Sequence, residues 1–150
     1  MSEQTSELTQ VEANKKIARD YVERVFNQHQ PDLANDFVTP DVVWHGGILG
    51  DVAGAENVTG VLRSFIGPLA DLHAVEQDVI AEGDLVMLRL VITATQRGDL
   101  LGVPASGRQI RWNAVDIYRI TDGRISEEWA ADDAADIMYQ LGAFNPPWLG

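Results

Sequence analysis

The sequence predicts an α+β fold: a curved antiparallel sheet closed by N-terminal helices. Three observations carry this. Up to Ile66 the apolar residues recur mainly at helical spacing. From Leu72 they recur at strand spacing. A long hairpin from Gln109 to Asp132 places acids and aromatics on one face.

Residues 1–11 are expected to form a disordered arm, and residues 12–150 a single domain. Ile17, Tyr21, Val22, Val25 and Phe26 mark an amphipathic helix over Glu12–Gln28. Gln30-Pro31-Asp32 breaks it, and residues 31–36 read as a short helical turn. Thr39-Pro40-Asp41 reads as a turn, followed by a short strand, Val42–His45, ended by Gly46-Gly47. A third helix is expected over Gly54–Ile66 and stops at Gly67-Pro68. Leu72–Ala81 alternates as a strand, and Glu82-Gly83-Asp84 turns. Leu85–Gln96 is a long strand with apolar residues on both faces, so both need cover. Residues 97–108 form a connecting loop.

In the hairpin, Thr121-Asp122-Gly123 reads as a three-residue turn. Pairing Ile120 with Arg124 sets Asp116 opposite Glu128, with Trp112, Ala114, Tyr118, Ser126 and Ala130 on the same face. Trp129 then lies on the outer face. Asp133–Leu141 is the last helix, stopped by Gly142, and the apolar tail 144–148 is expected to pack.

Composition excludes several classes. A net charge of −12 with no basic stripe argues against nucleic acid and anionic membranes. The absence of cysteine rules out disulfides and thiolate chemistry. No apolar run is long enough to cross a bilayer, and Met1–Thr5 is polar and acidic, so a cytoplasmic location is expected. His29, His45 and His73 lie on different elements without ligand spacing, so no metal is expected.

The chemistry points to Asp116 and Glu128. Two facing carboxylates on an otherwise aromatic, small-residue surface read as a lined pocket, where like charge raises at least one pKa. An exposed acidic pair on an acidic protein is the other reading. Arg89, within an apolar strand, either clamps a substrate oxygen or pairs with a carboxylate. His45 either lines a cavity mouth or is a satisfied polar group.

Residues 37–45 (Phe-Val-Thr-Pro-Asp-Val-Val-Trp-His), Ala-Asp-Leu-His at 70–73, Val-Ile-Ala-Glu-Gly-Asp at 79–84, Gly-Val-Pro-Ala-Ser-Gly-Arg at 102–108, residues 115–129 and Gln-Leu-Gly at 140–142 resemble the SnoaL-like polyketide cyclase family. The resemblance spans about residues 12–142. It implies an NTF2-like cone-shaped α+β barrel and work on aromatic polyketides without metal or organic cofactor. Matched to the cyclases, Trp44 stands at an Asn position, Trp112 at a Gln, Ala114 at a His, and Glu128 at the acid/base Asp. Asp116 falls where distantly related ketosteroid isomerases carry an oxyanion-hole acid.

With three of four cyclase positions replaced, this reading favours the family's anthracycline hydroxylase-like branch. Ring closure by aldol condensation is the alternative, and a non-catalytic small-molecule-binding dimer a third. In the favoured scheme Glu128 takes a proton and a protonated Asp116 steadies the oxyanion. Trp44, His45, Phe65, Arg89, Trp112, Ala114 and Tyr118 contact the substrate. The resulting anion meets oxygen, a peroxide or reduced flavin supplied by a partner reductase, with no cofactor bound by the chain itself. The apolar outer face, with Val115, Ile117, Ile125 and Trp129, predicts a homodimer joined sheet to sheet.

Overall fold

The computed structural model describes residues 3–150. Helix α1 spans Glu3–Tyr21. It buries Asn14, Ala18 and Tyr21, and the same stripe continues into Val22 and Val25 beyond its end. The helix starts well before the expected Glu12. Residues 3–10, expected to be disordered, are helical with exposed side chains; residues 1 and 2 lie outside the described part.

The chain then widens into a π-helical turn over Val22–Asn27, where Gln28 N–H reaches Glu23 O (2.9 Å) and Gln30 N–H reaches Val25 O (3.0 Å). Such turns often mark functional sites, and here Val22 and Phe26 line a cavity. The short helix α2 (Ala34–Phe37) leads into strand β1 (Val38–His45). The turn expected at Thr39-Pro40-Asp41 is instead an irregularity within β1, where pairing jumps from Val38↔Ile125 to Val43↔Glu127. Pro40, with no N–H to give a ladder, is tolerated there.

Strand β2 (Asp51–Ala53), not foreseen from the sequence, folds back on β1. Then come α3 (Ala55–Ile66), β3 (His73–Glu82), β4 (Leu85–Thr95), β5 (Gln109–Thr121), β6 (Arg124–Asp132) and α4 (Ala134–Gln140). The strand order is β2-β1-β6-β5-β4-β3. The sheet is mixed rather than purely antiparallel, because β1 runs parallel to β6. The fold is the NTF2-like α+β barrel, with α1 and α3 on the concave face. Tyr21, Val25, Leu62 and Ile66 of the helical side share one core with Val86, Leu88, Leu90 and Ile92 of β4.

The expected hairpin register is corrected. The turn has two central residues, Asp122 (φ 49°) and Gly123 (φ 80°), both left-handed as a tight hairpin turn requires. Thr121 therefore pairs with Arg124 and Ile120 with Ile125, while Arg119 pairs with Glu127. Ser126 is the unpaired residue of a β-bulge, and its hydroxyl bonds Thr121 Oγ1 at 2.7 Å. Asp116 thus faces Ala130, and Glu128 faces Tyr118. Ile125, expected outside, is fully buried. The tail does not pack as a unit: Pro146 is buried, but Trp148 is 74% exposed.

Candidate active site

A cavity of about 400 Å³ opens between the concave sheet face and the helices. Its walls are mostly apolar, with Trp44 of β1, Val61 and Phe65 of α3, and Leu90 and Ile92 of β4 among them. Gln96 shapes one rim. It is fully buried, its amide donates to Val103 O (2.9 Å) and Pro104 O (3.1 Å), and it accepts from Ser106 Oγ (2.6 Å). These bonds hold the 97–108 loop so that Asp99 and Leu101 reach the cavity. Leu49 lines it from the β1–β2 connection.

The polar lining includes three carboxyl groups on the inner faces of the last two strands: Asp116, Glu128 and Asp132. Asp116 and Glu128 are buried. Asp116 Oδ2 accepts from the Tyr118 hydroxyl at 3.3 Å, while its Oδ1 is buried without a partner. Asp132 is half-buried and accepts from the Trp112 indole N–H at 2.8 Å. The next residue, Asp133, caps α4 by accepting from Asp136 N–H, leaving Asp132 to the cavity.

Burial and mutual repulsion set the protonation of this wall. Asp116 is pushed well above the usual carboxylate range, first by burial and then by the charge of Asp132. Glu128 is pushed well above it by burial, then by Asp116 and Asp132. Asp132 is raised by burial, against which the Trp112 hydrogen bond works. The phenols of Tyr21 and Tyr118 are likewise pushed well up by burial and by these acids. These shifts favour the neutral, proton-donating form of Asp116 and Glu128.

The structure brings Asp116, Glu128, Trp44 and Phe65 to one cavity, as the sequence suggested. Trp112, Ala114 and Tyr118 are buried on the inner face but do not line it. The Trp112 ring is turned edge-on to Phe65 (6.0 Å) and its N–H is committed to Asp132. His45 is not at the cavity. On the outer face it bonds Asp51 (3.0 Å) and Glu127 (2.7 Å) and stacks on Trp129, and the Glu127 bond, then the Asp51 bond, raise its pKa. Arg89 is an exposed outer-face residue paired with Asp78 at 2.6 Å, so it cannot clamp a substrate inside. Asp132, Asp99, Leu49 and Leu101 were not anticipated. Asp132 shares the strand alternation of Glu128 and was legible; the loop residues have no periodicity to betray them.

Most of the chain is similar to known proteins. Nogalonic acid methyl ester cyclase of Streptomyces nogalater is 29% identical over 128 residues, 82% of this chain and 91% of that protein. Aklanonic acid methyl ester cyclase DnrD of Streptomyces peucetius is 28% identical over 114 residues, 75% of this chain and 74% of that one. The structure of AclR from Streptomyces galilaeus, a provisionally assigned hydroxylase, superposes with a TM-score of 0.80 at 23% identity, covering 90% of this chain and 99% of AclR. At that identity AclR attests the fold alone. The sequence model for the SnoaL-like polyketide cyclase matches residues 16–141, and the chain belongs to that family of enzymes.

Proposed function

We propose that this protein closes a ring of a polycyclic aromatic polyketide ester by intramolecular aldol condensation. The observation that carries the reading is the largely apolar cavity with carboxyl groups on one wall, two of them buried and pushed toward the neutral form. An aldol closure needs a base for a carbon-bound proton and a donor for the oxygen where negative charge develops. Such a wall supplies both. The cyclase relatives, similar over three-quarters or more of the chain, favour this over the hydroxylation expected from the sequence. The lost polar partners of the cyclases had argued the other way, and the acids of β5 and β6 offer a substitute for them. No redox step is needed, so this reading requires no oxidant and no partner reductase. Among the described residues no group of three His, Asp or Glu side chains could hold a metal ion.

The test is mass spectrometry of products from tricyclic anthracycline-type methyl ester intermediates, with and without oxygen and a flavin reductase. An isomer of unchanged mass is expected. A gain of one oxygen would restore the hydroxylase reading, and tight binding without any product would favour a non-catalytic carrier.

The expected cytoplasmic homodimer belongs to the same reading. Among the described residues no helix is long and apolar enough to cross a membrane. The outer sheet face leaves Val75 48% and Ile80 59% exposed, next to half-buried Met87, Val91, Ile117 and Trp129. A face of this kind is suited to a second copy of the chain. Trp129→Glu is expected to shift sedimentation from dimer to monomer. A wild-type monomer at micromolar concentration would sink the dimer.

A further inference from the structure

The three cavity acids carried by β5 and β6 are not equivalent in what touches them. Glu128 accepts no hydrogen bond among the described residues. Asp116 has only the long bond from Tyr118, and its other oxygen has no partner. Asp132 alone is met by an N–H: Trp112 Nε1 points at its Oδ1 from 2.8 Å. That donor is rigid. Trp112 is 1% exposed on β5 and is wedged edge-on against Phe65. An indole N–H can only donate, so it favours the ionised carboxylate over the neutral acid. Carboxyls without donors in a dry wall stay protonated. Only Oδ1 of Asp132 has a hydrogen-bond partner among the described residues, and Asp132 lines both the cavity and the groove beside the β1–β2 connection.

We propose that Asp132, oriented by Trp112, is the charged general base of this cavity, and that Glu128 is its neutral proton donor. The assignment rests on the ring-closing reading. Asp132 Oδ2 takes a proton from a carbon next to a substrate carbonyl, and the C–H electron pair becomes an enolate. The enolate carbon attacks the acceptor carbonyl carbon, forming the C–C bond. The acceptor's π pair moves to oxygen, which takes the Glu128 proton. Exchange with solvent moves the proton from Asp132 back to Glu128. The substrate is isomerised, and nothing is oxidised or reduced.

The titratable groups facing Asp132 are Asp116 from β5 and Glu128 from its own strand. Asp99 reaches the cavity from the 97–108 loop, and the Tyr21 and Tyr118 phenols lie near the two buried acids. Among the described residues no Lys, Arg or His lines the cavity. The Trp112 N–H is thus what sets Asp132 apart, and Trp112 is a positioning residue.

The experiment uses the full chain. Asp132→Asn retains an oxygen for the Trp112 N–H and is expected to fold. It should lower turnover of a tricyclic ester substrate by about 10²-fold or more and abolish the acid limb of the rate profile. Trp112→Phe should move that limb to higher pH. Carbon-13 NMR of labelled Asp and Glu carboxyls, without substrate, should show Asp132 ionising at lower pH than Glu128 and Asp116. Wild-type turnover in Asp132→Asn, or Glu128 ionising first, overturns the assignment. A wild type that closes no ring overturns the ring-closing reading, and the NMR order then decides separately whether Asp132 is the charged group.

Discussion

Glu128→Gln is expected to keep the fold and lose about 10²–10⁴ in turnover, the usual cost of removing a proton-transfer group. The side chain is 3% exposed and lines the cavity. Gln copies its shape and can still hydrogen-bond a carbonyl, but it cannot release a proton to the alkoxide. Burial already disfavours the charged carboxylate, so a neutral amide adds no desolvation cost and thermal stability should hold. Ligand affinity should change much less than turnover, because the lost interaction matters where charge develops. The checks are steady-state kinetics beside a melting curve. Full turnover in a folded variant would remove Glu128 from the chemistry.

Gly46→Ala is expected to disturb both stability and the cavity. A methyl built at Gly46 would stand 2.1 Å from Cη2 and 2.3 Å from Cζ3 of Trp44. The backbone there (φ −108°, ψ 19°) suits an alanine, so the obstacle is the indole ring itself. Trp44 is 6% exposed, and its ring lines the cavity. To make room, the ring must leave its place in the wall. The overpacking cost is about 1–3 kcal/mol, read as a fall in Tm, with a change in tryptophan fluorescence and weaker ligand binding. Gly60→Ala is the control. Nothing lies within 4 Å of its added methyl, and its place within α3 favours a modest gain in stability. A Gly46→Ala protein as stable as the wild type, with unchanged fluorescence, would refute the close packing of Trp44.

Much of the fold was legible because period separates helix from strand so cleanly here. The active face was legible for a less comfortable reason. The expected turn was one residue too long, and the bulge at Ser126 was not foreseen. The two errors leave the inward side of β6 unchanged, since together they slide the pairing by an even number of residues. Asp116 and Glu128 therefore share a face although they are not opposite one another. Arg89 could have been placed correctly. It alternates with Leu88 and Leu90, which point inward, so its side chain had to be outside. His45 was harder. Its partner Asp51, close in sequence, meets it through the unforeseen strand β2, and Glu127 meets it through a parallel pairing with β6, a segment far off in the chain. Asp99 and Leu101 reach the cavity through the hydrogen bonds of one buried amide, Gln96, which no hydropathy pattern records.

The bulge at Ser126 also gives the enzyme's inside one residue of slack. With the Asp122-Gly123 turn fixed, an in-frame loss of Ser126 would straighten β6 and leave Arg119 opposite Glu127 and Tyr118 opposite Glu128, so the reactive acids would still face the chamber. Beyond the bulge there is no such slack. Loss of Trp129 would shift each following position by one and turn Asp132 to the outer side of the sheet. Sequence drift can thus shorten this strand at its bulge at little chemical cost, whereas the same deletion three codons later would empty the wall of one of its acids.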